Sequence, residues 1–164
     1  MTSAGNIESE IKQTLEILGI TYSWIVVDPD FADTENFCRK YDYPMEKSGN
    51  TILVASKRGE KKYCACIVLA TAKLDVNKKV KELMEVSRLS FANTEETIHL
   101  TGMMIGGVTP IGLPDTLPVF IDSDVMTIDY VIIGGGSRSG KIQVNPQELL
   151  KLPNSKVVQG LSKT

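Results

Sequence analysis

The sequence predicts an α/β protein of the α+β type, with a mixed β-sheet flanked by helices. Helix-period and strand-period segments are intermixed along the chain but do not alternate strictly as βαβ units. In addition, two apolar runs, 51–56 (TILVAS) and 63–70 (YCACIVLA), flank Arg58-Gly59-Glu60-Lys61, which is the pattern of a β-hairpin.

Each element has a local reason. Ile7, Ile11, Leu15 and Leu18 recur at helical spacing, and Gly19 follows where a left-handed residue ends a helix. The β-branched and aromatic run 22–27 is closed by Asp28-Pro29 and predicts a strand. Asp33 or Thr34 can cap a short helix through Tyr41, with one further turn over 44–48. After the hairpin, Asp75 precedes a helix over 76–84. Asn93 or Thr94 caps another through Leu100, where Glu95 and Glu96 suit the N-terminal dipole. Segments 117–121, 129–133 and 141–144 are further strand candidates, and Pro146 behind Asn145 opens a last helix over 147–152. No repeat, low-complexity tract or linker breaks the chain, so a single domain over 1–164 is expected.

Composition narrows the function classes. A hydrophobic content of 42% with 23% charged residues is ordinary for a soluble domain. No run approaches the roughly 20 apolar residues of a membrane span, and the polar, acidic N-terminus does not read as a signal peptide. Cys38, Cys64 and Cys66 are an odd set, read most simply as reduced thiols of a cytoplasmic protein. A net charge of −2 argues against wrapping a long phosphate backbone, though not against a pocket for the end of a nucleic acid. The basic clusters Lys57, Arg58, Lys61, Lys62 and Lys78, Lys79, Lys81 read as a solvated hairpin tip and a solvated helix face.

The most informative stretch is 101–113 (TGMMIGGVTPIGL), where Gly102, Gly106, Gly107 and Gly112 surround Pro110. Glycines admit positive φ and close approach of backbone to a neighbour, so this is either a turn between packed elements or a loop shaped to present its N–H groups. A second run, 135–141 (GGSRSGK), fits the G-x-x-x-x-G-K of a phosphate-binding loop. It lacks the following Ser/Thr and any helix after Lys141, so a glycine-rich hairpin is the better reading. Cys64 and Cys66 share one face of a strand and read as buried core thiols rather than a metal half-site. His99, the one histidine, closes a helix with no Ser or Cys set beside it by a motif, and the carboxylates show no paired spacing.

A set of short pieces then resembles the YbaK/ProX family of aminoacyl-tRNA editing domains, related to the insertion domain of bacterial prolyl-tRNA synthetases. The pieces are Asn50-Thr51-Ile52-Leu53 at the hairpin, Ala72-Lys73-Leu74-Asp75, Ser90-Phe91-Ala92, Thr101-Gly102 with Gly106-Gly107-Val108-Thr109-Pro110, Val119-Phe120-Ile121-Asp122, and Gly134-Gly135-Gly136. Their order and spacing match over most of the chain.

The resemblance implies a mixed sheet flanked by helices, with a pocket beside the glycine loop. It also implies hydrolysis of the ester that joins a wrong amino acid to the 3′ end of a tRNA. No metal or organic cofactor is implied. The expected partner is the 3′ end of an aminoacyl-tRNA, with an aminoacyl-tRNA synthetase as a second candidate.

On this reading Gly106, Gly107 and Val108 form the carbonyl-binding loop, shaped by Thr109 and Pro110. Asn50 and Thr51 form the opposite wall, Lys47 or Lys73 touches phosphate or the terminal adenosine, and Asp122 and Gly135 complete the binding set. One position departs from the family. Many members carry a functional lysine directly before the Thr-(Leu/Ile) of the hairpin strand, where this chain has Asn50. Either Asn50 works by hydrogen bonding, Lys47 reaches in, or the activity has changed. The rival readings are a non-catalytic binding module for a tRNA end, aminoacyl group or nucleotide, and a nucleotide hydrolase using Lys141.

Overall fold

A computed structural model describes residues 4–57 and 59–163. Helix α1 (Ala4–Ile17) buries Ile7, Ile11 and Leu15, as its period predicts, and the chain leaves it through Gly19 at φ +69°. Strand β1 (Ser23–Val26) and a 3-10 turn (Pro29–Phe31) lead to helix α2 (Thr34–Tyr41), with Asp33 at its N-cap. A second 3-10 turn (Met45–Lys47) enters the hairpin of β2 (Gly49–Ser56) and β3 (Tyr63–Leu69).

Short β4 (Lys73–Leu74) precedes a helical segment that winds as a π-turn over Val76–Val80 and continues as α3 (Lys81–Met84). Then come β5 (Leu89–Phe91) and α4 (Thr94–Thr101). Strands β6 (Val119–Asp122), β7 (Val131–Gly134) and β8 (Gly140–Val144) follow, and the chain ends with β9 (Ser155–Val158) and β10 (Ser162–Lys163).

The large sheet has the order β5-β2-β3-β6-β9. It is mixed: β2 is antiparallel to β3 and β5, whereas β6 runs parallel to β3 and β9. A smaller antiparallel sheet has the order β1-β8-β7, and β4 pairs with β10. A parallel bridge from Ser48 to Ile132 joins the start of β2 to the small sheet.

The strand period of two sorts side chains between cores. On β2 and β3, Leu53, Ala65 and Ile67 enter a core shared with α1 and with Val131, Ile133, Ile142 and Val144 of the small sheet. Their neighbours Val54, Cys64, Cys66 and Val68 face a second core closed by Val76, Val80 and Met84. A third cluster packs Phe37 and Cys38 of α2 on the other face of the small sheet, against Val27 and Ile132.

The sequence-based elements recur with differences, of which two have a plain local cause. The expected last helix is a 3-10 segment (Pro146–Lys151) capped by Asn145, and it is cut short before Pro153. The strand expected from Leu117 starts at Val119, just after Pro118, which has no N–H to give a ladder. Strands β4, β5, β9 and β10, not expected from sequence, are two to four residues long and are defined by their pairing in the sheets. Among the described residues no helix is long and apolar enough to cross a membrane.

Candidate active site

A cleft of about 300 Å³ opens where the two sheets meet. Asp33 and Thr34 at the start of α2 form one side, and Asn50 and Thr51 of β2 form the next. Gly106 and Val108 from the loop after α4 face Gly134 of β7 and Lys141 of β8 across it.

The loop is built by backbone packing. Helix α4 stops at Gly102, whose N–H still bonds the Ile98 carbonyl at 2.8 Å and whose φ of +68° turns the chain out of the helix. The Gly107 N–H then closes a turn on the Met104 carbonyl at 2.9 Å. The Met104 N–H donates to the Gly136 carbonyl, and the Gly136 N–H returns a bond to the Gly107 carbonyl at 2.6 Å. The two glycine-rich runs therefore lie backbone against backbone. A Cβ on Gly107 would fall 2.2 Å from the Ser137 carbonyl oxygen, and one on Gly134 would fall 2.3 Å from that of Val108. Arg138 clamps the assembly, its Nη1 lying 3.3 Å from both the Asp33 carboxylate and the Ile105 carbonyl. Its Nη2 donates to the Pro29 carbonyl at 3.0 Å. Gly106 sits under this guanidinium at φ +88°, where a side chain would be strained and its Cβ would displace the Arg138 Nη1.

Several polar groups of the cleft are left unmatched. Among the described residues, the N–H groups of Gly106 and Val108 donate to nothing. The Thr51 hydroxyl is enclosed with no hydrogen-bond partner among the described residues. Lys141 is only 8% exposed, and its ammonium has no ion pair among the described residues; it lies 5.1 Å from the centre of the Phe37 ring. Burial pushes the Lys141 pKa below its ordinary value, although the nearby Cys38 and Asp33 pull it back up. Asn50 is held by the Thr34 hydroxyl, which donates to its side-chain oxygen at 3.0 Å. Gly106 is exposed and Val108 half-buried, so their N–H groups face the open cleft, whereas the Thr51 hydroxyl and Lys141 are buried. Buried polar groups are nearly always satisfied within a fold, so these two mark where a ligand would complete the set.

Of the residues singled out from sequence, Asn50, Thr51, Gly106 and Val108 meet at this cleft and the others do not. The Gly107 N–H is spent on Met104, so Gly107 shapes the loop rather than donating from it. Thr109 is fully buried behind it, its hydroxyl accepting from the Ile111 N–H, and Pro110 borders a separate groove beside α1. Gly135 packs against Trp24 and the Gly140 carbonyl.

Lys47, one of the alternatives offered for the family lysine, is placed outside the cleft. Its ammonium is bound to Asp129 at 2.5 Å and lies over the Tyr130 ring, away from the cleft. Lys73 is exposed on β4, opposite Lys163. Asp122 is buried at the end of β6, where it accepts the Ser162 hydroxyl and ties down the C-terminal strand.

Sequence reasoning missed Lys141 as a cleft residue and Arg138 as the clamp behind the loop, and read Asp33 only as a cap. The run 135–141 is indeed a hairpin turn, with Lys141 paired to Gly134 and Ile25 in strands and no helix behind it. Its lysine nevertheless enters a site, because α2 covers that face of the small sheet.

The description "Aminoacyl-tRNA editing domain" belongs to a family model that matches residues 28–152, more than half of the chain. YwhH of Bacillus subtilis strain 168, itself uncharacterised, is 35% identical over 103 residues, which are 62% of this chain and 64% of that protein. EbsC of Enterococcus faecalis, named as a proposed Cys-tRNA(Pro)/Cys-tRNA(Cys) deacylase, is 25% identical over 84 residues, 48% of this chain and 51% of that one. The chain thus spans just under two thirds of the first relative and about half of the second. A crystal structure described as a proposed trans-editing enzyme for prolyl tRNA synthetase superposes over 100% of both chains with a TM-score of 0.83 at 22% identity, a likeness of fold. With the family's domain covering the whole cleft, from Asp33 to Lys141, the chain belongs to the aminoacyl-tRNA editing domain family.

Proposed function

We propose that the chain is a cytoplasmic deacylase that acts in trans on mischarged tRNA. The observation that carries this is the glycine loop: it is fixed backbone to backbone, yet the Gly106 and Val108 N–H groups remain unbonded at the cleft wall. An aminoacyl ester is already activated, so hydrolysis needs a positioned water and donors for the carbonyl oxygen more than a strong nucleophile. Water oxygen adds to the carbonyl carbon and the π pair moves onto the carbonyl oxygen. Collapse breaks the bond to the ribose oxygen, which takes up the proton that the water gives up. Preorganised N–H donors lower the cost of the anionic intermediate, each worth about 10²–10³ in rate.

The cleft sits at the small end of ligand sites, which run to roughly 300–1,000 Å³, and suits a small aminoacyl group on a terminal ribose. Asn50 and Thr51 would hold the amino acid's polar groups on the wall opposite the loop. The 3′ end of an aminoacyl-tRNA is therefore the proposed partner, in keeping with the deacylase name carried by EbsC, and an aminoacyl-tRNA synthetase is a second.

Asn50 itself favours a second reading, a module that holds the same aminoacyl end without turnover. A panel of tRNAs mischarged with small amino acids separates the two. The deacylase releases amino acid from one or two of them, and Gly106→Val, which forces a side chain into Arg138, abolishes release. A binder retains the tRNA and leaves every ester intact.

A further inference from the structure

Lys141 makes no ion pair among the described residues, and its ammonium lies over the Phe37 ring. Ile142 and Val144, its alternating neighbours on β8, fill the main core, while Lys141 emerges on the face covered by α2, against the Phe37 ring. The one carboxylate of the cleft wall, Asp33, is paired with Arg138 instead. Burying an ammonium with no carboxylate in direct contact opposes folding, and methionine would fill the same space without that cost. The charge is thus surplus to the fold and is available to whatever enters the cleft. A phosphodiester is permanently charged and costly to desolvate, so it would sit at the mouth. An ammonium sunk in the wall, 8% exposed, meets a small group that enters fully.

Building on the deacylase reading, we propose that Lys141 is a catalytic residue of this cleft, its ammonium binding the ester carbonyl oxygen as it becomes anionic, together with the Gly106 and Val108 N–H groups. Lys141 keeps its proton throughout: water supplies the new C–O bond and the ribose oxygen leaves with the proton, so no further reactant is required. The cleft then obtains from β8 the positive charge that Asn50 does not bring on β2. The buried Thr51 hydroxyl, unpartnered among the described residues, is a second polar group held for the same guest.

The test is steady-state deacylation by the full chain of the mischarged tRNA that it hydrolyses fastest, with Lys141→Met and Lys141→Gln assayed beside wild type and melting temperatures recorded for each. The expected result is a kcat lower by about 10²–10³-fold in both variants, with KM nearly unchanged. The melting temperature of Lys141→Met should be equal to or above that of wild type. Loss of kcat that merely follows loss of folded protein overturns the proposal. So does an unchanged kcat, or a raised KM at constant kcat, the mark of a contact made equally in the ground state, such as one to phosphate. A wild type that hydrolyses no ester defeats the deacylase reading first and this proposal with it. An active wild type matched by both variants defeats Lys141 alone.

Discussion

Two polar clusters of this molecule differ in how completely they are used. Around Glu96 every charge is matched. Its carboxylate accepts the Asn93 N–H at 3.1 Å while the Asn93 side chain accepts the Glu96 N–H at 2.7 Å, forming a closed capping box. Lys61 lies 3.1 Å from the same carboxylate and the Tyr63 hydroxyl donates to it at 3.3 Å. The Asn93 N–H first, and Lys61 next, hold the Glu96 pKa below its ordinary value. In the cleft the opposite holds: Lys141, the Thr51 hydroxyl and the N–H groups of Gly106 and Val108 have no such partners among the described residues. The first cluster is consumed in joining α4 to the hairpin. The second is kept open by a loop whose own bonds are made elsewhere, which is how a fold reserves polar groups for a guest.

Three substitutions would break or sharpen this contrast. The largest effect is expected from Gly107→Ala, which drives a methyl into the Ser137 carbonyl and separates the two glycine runs. Deacylation should fall to background, with a stability loss of about 1–3 kcal/mol in denaturant unfolding. Next is Arg138→Ala, which releases Asp33 and the carbonyls of Ile105 and Pro29. The loop then loses its clamp but not its packing. Activity should drop by about 10-fold or more through misplacement, while the exposed ion pair itself contributes within roughly 1 kcal/mol to the melting curve. The smallest effect on activity is expected from Asn93→Ala. Losing the cap should cost about 0.5–2 kcal/mol of stability, yet leave kcat unaltered, because that cluster serves only the fold.

Much of the scaffold was legible because its signals are local. Asn93 and Glu96 announce a cap, the runs on either side of 58–61 announce a hairpin, and the alternation of Cys64 and Cys66 puts both thiols in one core, with their sulfurs 3.9 Å apart. The glycine loop was also legible as a shaped backbone, although not which of its N–H groups stay free. That depends on the turn that Gly107 closes.

The lysines show where local reading ends. Lys47 lies three residues before Asn50 and seemed placed to reach the cleft, but the 3-10 turn carrying it directs its ammonium to Asp129. Lys141 lies ninety-one positions after Asn50 (141 − 50), yet lines the same cleft. It arrives there because β8 pairs with β7 and α2 covers their outer face, a long-range arrangement that no window of sequence contains.

The central claim is that the cleft between the glycine loop and β2 receives the aminoacyl end of the tRNA. The most direct measurement is a backbone-amide NMR titration with a non-hydrolysable alanylamino-deoxyadenosine, the amide counterpart of the 3′ ester. The account predicts shift changes at Gly106, Val108, Asn50, Thr51 and Lys141, and none in the groove formed by Leu18, Leu113 and Leu152. Changes confined to that groove, or no changes at all, would contradict it.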